Sequence, residues 1–139
     1  MVSLKCNYLS CWEEMMAKEV IALIDDLFFS SKIASTAQSC GVPVQFLKTK
    51  DALIEKVKRQ SAGLIIVDLN GSTTRPLETI QALKSDPELR SMPVLAFLSH
   101  VQTELKEKAL SAGCNIVIPR STFSQKLPQI LIEHSLNKE

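Results

Sequence analysis

The chain has 139 residues, of which 45% are hydrophobic and 22% charged, with a formal net charge of +1; this suits one folded domain with a sizeable core and excludes a disordered chain. The basic cluster Lys56, Lys58 and Arg59 shares a predicted helix with Glu55, so no nucleic-acid-binding surface is expected. No apolar run reaches membrane-spanning length and the N-terminus lacks a signal-peptide pattern, so the expected location is cytoplasmic, away from membranes.

Residues 1–18 differ in pattern from the remainder of the chain. Ser10 and Glu13 have capping-box spacing ahead of Met15, Met16 and Ala17, which predicts a helical N-terminal extension before a domain over 19–139. Met16-Ala17-Lys18 also reads as an alternative start. Leu9, Trp12, Met15 and Met16 on such an extension need a surface, either the chain's own domain or a second copy in a homodimer. The four cysteines, Cys6, Cys11, Cys40 and Cys114, include no C-x-x-C pair, so free thiols in a reducing compartment are expected.

The first strand, 20–24, is apolar throughout and runs into Asp25-Asp26. A helix over 27–40 follows, with Phe29, Ile33, Ala34 and Ala37 at helical spacing and Gly41 as its C-cap. The second strand, 42–47, carries Pro43 and so suits a sheet edge. Thr49 caps a helix over 50–60, whose inner face is Leu53, Ile54 and Val57. The third strand, Leu64-Ile65-Ile66-Val67, ends in Asp68 and is broken by Asn70-Gly71. Pro76 opens a helix carrying Leu77, Ile80 and Leu83, and Asp86-Pro87 closes it. A fourth strand over 94–98 leads to Ser99-His100, then a helix over 102–112 closed by Gly113. The fifth strand, 115–118, precedes Pro119-Arg120-Ser121. Pro128 argues for a turn through 121–126 and a last helix that starts near 128, with Ile130, Leu131 and Ile132.

Strands apolar on both faces, alternating with helices, predict an α/β fold: a flavodoxin-like, doubly wound, five-stranded parallel sheet of order 2-1-3-4-5 with helices on both faces. In that order strands one and three are neighbours, so Asp25 and Asp26 stand beside Asp68. Three carboxylates in one crevice raise one another's pKa unless a cation joins them, and Mg²⁺ takes such all-oxygen sites. With a metal present, the Asp68 carboxylate can attack a phosphoryl group.

Taken together, Asp25-Asp26, Asp68, Pro93-Val94-Leu95 and Gly113 in this β-α order resemble a response-regulator receiver domain of two-component signalling, over about residues 19–136. The resemblance implies that Asp68 is the phosphoacceptor. It implies a Mg²⁺ ion on Asp26, Asp68 and the Asn70 backbone carbonyl, with Asp25 acting through water. The phosphoryl donor would be a histidine kinase or a phosphotransfer protein. Output would run through contacts with a downstream protein, on the face of the fourth helix, fifth strand and fifth helix. Such a protein is not an enzyme and has no catalytic residues of its own.

Departures fall on the switching half. Leu98 stands where receivers carry a Ser or Thr, with Ser99 one residue on; Arg120 replaces the usual Lys, Ser121 the usual Pro, and Val117 the usual aromatic residue. Ser99 and Arg120 are the candidates for sensing the phosphoryl group. These departures leave open a pseudo-receiver that binds partners without being phosphorylated. A third reading takes Asp68-Leu69-Asn70-Gly71-Ser72 as a haloacid-dehalogenase-type phosphatase motif with an aspartate nucleophile; Asn70 in place of the second Asp, and the motif's position on the third strand, count against it. His100 reads as a solvated loop histidine rather than a general base, and His134, on the last helix, carries no functional signal. Without a glycine-rich phosphate loop, a nucleotide enzyme is not expected. No output domain follows the last helix, so a partner, or a longer protein of which this is part, is expected to carry the response.

Overall fold

A computed structural model describes residues 19–99 and 102–135. Its ten elements are β1 (Val20–Leu23), α1 (Leu27–Cys40), β2 (Val44–Leu47), α2 (Lys50–Arg59), β3 (Leu64–Asp68), α3 (Pro76–Ser85), β4 (Val94–Leu98), α4 (Thr103–Ser111), β5 (Ile116–Pro119) and α5 (Arg120–Ser135). The strands form one sheet of order β2-β1-β3-β4-β5, every pair parallel. This is the expected 2-1-3-4-5 order, with β2 and its Pro43 approach at an edge. The helical extension expected over 1–18, and the solvated His100, lie outside the described residues.

The sheet's two faces account for the apolar strands. On one face Ile21, Leu23, Ile65, Val67, Val94, Ala96, Leu98 and Val117 pack with Leu53, Val57, Ile80, Leu83 and Ala109 from α2, α3 and α4. On the other, Val20, Ala22, Ile24, Leu64, Ile66, Leu95 and Phe97 pack with Phe29, Ile33 and Ala37 of α1 and Phe123, Leu127 and Leu131 of α5. Strand residues alternate between the two clusters as the two-residue side-chain period requires. Complete burial of β1, β3 and β4 follows from helices covering both faces.

Local signals set most helix ends. Asp26 caps α1 by accepting from the Phe29 N–H at 3.2 Å, and Gly41 ends it in the left-handed region at φ 72°. Thr49 caps α2 through the Ala52 N–H. On the inner faces one expectation fails, since Ala34 is exposed; Ile54 is half-buried and packs against the core beside Leu53 and Val57.

The largest difference lies in the last helix. It begins at Arg120 and runs unbroken through Pro128, rather than starting near residue 128 after a turn. Phe123, Leu127 and Leu131 are all fully buried at four-residue spacing, so one apolar stripe on both sides of the proline holds both halves to the sheet. Pro128 itself is exposed, where water can meet the carbonyl left without a donor. Tertiary packing thus overrides a local breaker. Because an internal proline costs a helix about 3 kcal/mol, Pro128→Ala is expected to stabilise the fold by about 1–2 kcal/mol, the remainder being offset by a freer unfolded chain. Urea unfolding midpoints measure this directly; an unchanged or lower midpoint would show that the helix already accommodates the ring.

Candidate functional site

The site lies at the carboxyl edge of the sheet, where β1, β3 and β4 deliver their last residues. Ile24 is buried, and the chain then turns into Asp25 and Asp26. β3 carries Asp68 to the same edge, only 2% exposed. A carboxylate this deep needs partners, and Asp68 has two. Its Oδ1 accepts the Asn70 N–H at 2.9 Å, and its Oδ2 faces Arg120 Nη2 at 3.4 Å. Burial pushes the Asp68 carboxyl above its ordinary value; the Asn70 N–H and the Arg120 charge pull it down, while Asp25 and Asp26 push it further up.

Each neighbouring acid is committed elsewhere. Asp26 Oδ1 caps α1. Asp25 Oδ2 accepts from the Thr73 hydroxyl at 2.8 Å and the Thr73 N–H at 3.3 Å. The Thr73 hydroxyl holds the Asp25 carboxyl below its ordinary value, outweighing its partial burial. Asp25, Asp26 and Asp68 therefore share one electrostatic neighbourhood, yet among the described residues no three acidic, His or Cys side chains converge as a ready metal-ligand set.

The loop after Asp68 is folded tightly. Gly71 N–H bonds the Asp68 carbonyl at 3.1 Å. A Cβ at Gly71 would stand 2.6 Å from Thr74 Oγ1, so any larger residue there must displace the buried Thr74 side chain. Thr74 is fully buried and its hydroxyl has no hydrogen-bond partner. Arg75 adopts a left-handed conformation, φ 49°, directly before Pro76 opens α3. Thr79 secures this turn by donating to the Thr74 and Arg75 carbonyls.

Asn70 links this loop to the end of β4. Its Oδ1 accepts the Ser99 N–H at 2.7 Å and its Nδ2 donates to Gln102 Oε1 at 3.1 Å. Ser99 thus joins the site through its backbone. Leu98 is packed in the core at 3% exposure, alongside Val117.

Arg120 opens α5 and reaches back over the rings of Phe29 and Phe97 at 5.0 and 5.6 Å. Of the three consecutive apolar residues that open α1, only Phe29 is buried, while Leu27 and Phe28 are 74% and 83% exposed.

All six candidate residues, Asp25, Asp26, Asp68, Asn70, Ser99 and Arg120, thus lie at this one edge. Direct hydrogen bonds join Asp68 to Asn70 and Arg120, and Asn70 to Ser99; Asp25 and Asp26 act on Asp68 through charge. Sequence reasoning missed Thr73, Thr74, Gln102 and the Asn70 side chain. These are loop residues whose pairing no period announces.

No family model matches the chain. The signal transduction histidine-protein kinase BarA of Shigella flexneri is 21% identical over 122 residues, which cover 88% of this chain and only 13% of that kinase. Among solved structures, the receiver domain of a sensor histidine kinase from Pseudomonas aeruginosa, with magnesium in its active-site cleft, superposes with a TM-score of 0.73 at 18% identity, covering 85% of this chain and 97% of that one. A putative response regulator from Chloroflexus aurantiacus gives 0.75 at 13% identity, covering 84% and 96%.

The chain has the receiver-domain fold.

The Mn²⁺-bound form of the response regulator Rcp1, TM-score 0.66 at 15% identity over 84% of this chain and 90% of that one, shows the same receiver fold holding another divalent cation. In the present chain the donors are of the right kind for such an ion: hard carboxylate and carbonyl oxygens, with three acids set against Arg120. Burial is the main reason the Asp68 carboxyl is raised; Asp25 and Asp26 add a smaller push, which a cation would relieve.

Proposed function

We propose that this chain is a receiver of two-component phosphorelay signalling, which accepts a phosphoryl group on Asp68 and signals through protein–protein contacts. The observation that carries the reading is Asp68 itself: a buried carboxylate at the end of the central strand, flanked by two acids and faced by one cation. Oδ1 is held by the Asn70 N–H, whereas Oδ2 has only the 3.4 Å contact to Arg120. Oδ2 is therefore the oxygen free to attack.

In the transfer, Asp68 Oδ2 forms a bond to phosphorus as the P–N bond of a phosphohistidine breaks. The electron pair leaves on the imidazole nitrogen of the donor, a histidine kinase or phosphotransfer protein. A Mg²⁺ ion, when bound by Asp26, Asp68 and the Asn70 carbonyl with Asp25 through water, would screen charge on the phosphoryl oxygens. Arg120 offers its planar donor fork to the same group. Asn70 ties the acceptor loop to Ser99, giving a route from Asp68 to the end of β4 that needs no hydroxyl at residue 98. This route and a downstream protein partner complete the reading; the protein acts in the cytoplasm.

Specific observations favour one second reading, the pseudo-receiver. Arg120 already pairs with Asp68, Asp25 and Asp26 are turned to protein donors, and Leu98 and Val117 are core residues. The phosphatase reading has less support, because the Asn70 amide is tied to Ser99 and Gln102.

Intact-mass measurement after incubation with acetyl phosphate and Mg²⁺ separates the readings. One phosphoryl group is expected on the native chain and none on Asp68→Asn. A native chain that stays unmodified, under conditions that phosphorylate an ordinary receiver, would establish the pseudo-receiver instead.

A further inference from the structure

Three phenylalanines from three elements meet beside the site. Phe97 of β4 and Phe123 of α5 are stacked, with centroids 4.6 Å apart and planes 18° from parallel. Phe29 of α1 closes the group at 4.9 Å from Phe97 and 5.8 Å from Phe123. Arg120 lies over two of these rings, with its Nη2 on Asp68. Its Nε is buried with no hydrogen-bond partner. The Asp68 contact at 3.4 Å is long for a charge-assisted hydrogen bond, so that bond alone does not fix the side chain. The rings supply a further constraint: a weakly hydrated planar cation is attracted to the face of an aromatic ring.

We infer that Phe29 and Phe97 form an aromatic clamp that sets where Arg120 stands over Asp68, which makes Phe29 a positioning residue of the site. Arginine at residue 120 and the ring at residue 29 then form one device. The clamp keeps the guanidinium within reach of the acceptor carboxylate while leaving Nε without a partner. A phosphoryl group on Asp68 brings new oxygens toward a donor fork that is already in place, and no hydroxyl from residue 98 is needed to recognise it. The clamp stands on the geometry alone; its effect on phosphoryl transfer rests on the receiver reading.

Two measurements on the full chain test it. In NMR spectra with labelled arginine, the Arg120 side-chain resonances are expected to be displaced upfield by the ring faces. Phe29→Leu, which fills much of the space without a π face, should move them back toward ordinary arginine positions while the unfolding midpoint shows an intact fold. Unmoved resonances in a folded Phe29→Leu chain would overturn the clamp. In phosphorylation by acetyl phosphate, Phe29→Leu should slow modification of Asp68 by about three- to tenfold, the range a cation–π contact can supply. The same change in an Arg120→Gln background should have no further effect. A full effect in that background would show Phe29 to be ordinary core and overturn the positioning role. If Asp68 takes no phosphoryl group at all, the receiver reading fails and the arginine spectrum alone decides the clamp.

Discussion

Phe97→Ala is expected to remove about 3–5 kcal/mol from the stability of the fold. Phe97 is fully buried near the end of β4, paired with Asp68 in the β3–β4 register. It joins three parts of the molecule: the sheet, α1 through Phe29 and α5 through Phe123. Truncation loses the transfer energy of the ring, leaves a cavity between two helices, and removes one of the two rings beneath Arg120. Small domains have only about 5–15 kcal/mol in total, so this one change consumes a large share. Chemical denaturation should show a much lower midpoint with the slope retained. Phe97→Leu, which fills most of the cavity, should cost less than half as much. A loss below about 1 kcal/mol for the alanine variant would mean that α1 and α5 close over the gap, and that the aromatic group is not the keystone of that face.

The fold was legible because its strands carry the strongest signal a sequence offers. Residues 64–67 are apolar on both faces, and this alone demands helices above and below. Five such units separated by helix-length segments leave few topologies. Thr49 and Gly41 named their helix ends correctly because capping depends on a few neighbouring atoms. Pro128 misled for the same reason: it reports a local cost, and the stripe of Phe123, Leu127 and Leu131 that overrides it belongs to the tertiary structure.

At the site, the acidic half was legible and its hydrogen bonding was not. Strand order alone places Asp25 and Asp26 beside Asp68. It does not say that Thr73 takes Asp25, or that the Asn70 side chain reaches the end of β4. Those bonds depend on loop conformations set by Gly71 and by the left-handed Arg75. Arg120 was visible as a departure from the usual lysine; the reason for it was not. That reason lies in two rings, Phe29 and Phe97, brought from distant elements, and only their assembly shows why a planar cation suits the position.

Asp68→Asn is expected to stabilise the metal-free protein at neutral pH, even though it disables the proposed acceptor. Burial holds the Asp68 carboxyl above its ordinary value of 3.8, so the ionised form is disfavoured in the fold relative to the unfolded chain. Its contribution to stability is fully present below the unfolded pKa and is lost as pH rises through the raised folded value. Asparagine avoids that loss while keeping an oxygen for the Asn70 N–H. Arg120 opposes the gain, since its long contact to Asp68 is lost. Burial is the larger influence, so the net effect should be a gain, read as a higher unfolding midpoint. The gap between variant and native chain should narrow as pH falls and Asp68 takes up its proton. Asp25 has the opposite sign: its lowered carboxyl adds stability that is lost as pH falls through its folded value. The remaining acid dependence of Asp68→Asn should follow that sign. Added Mg²⁺ should also narrow the gap, by stabilising only the chain that keeps the Asp68 carboxylate. A less stable Asp68→Asn would show that the Arg120 pair outweighs burial, making Asp68 a structural anchor and favouring the pseudo-receiver. The expected result marks Asp68 as a charge kept at a cost to the fold, which is what selection for reactivity at that position leaves behind.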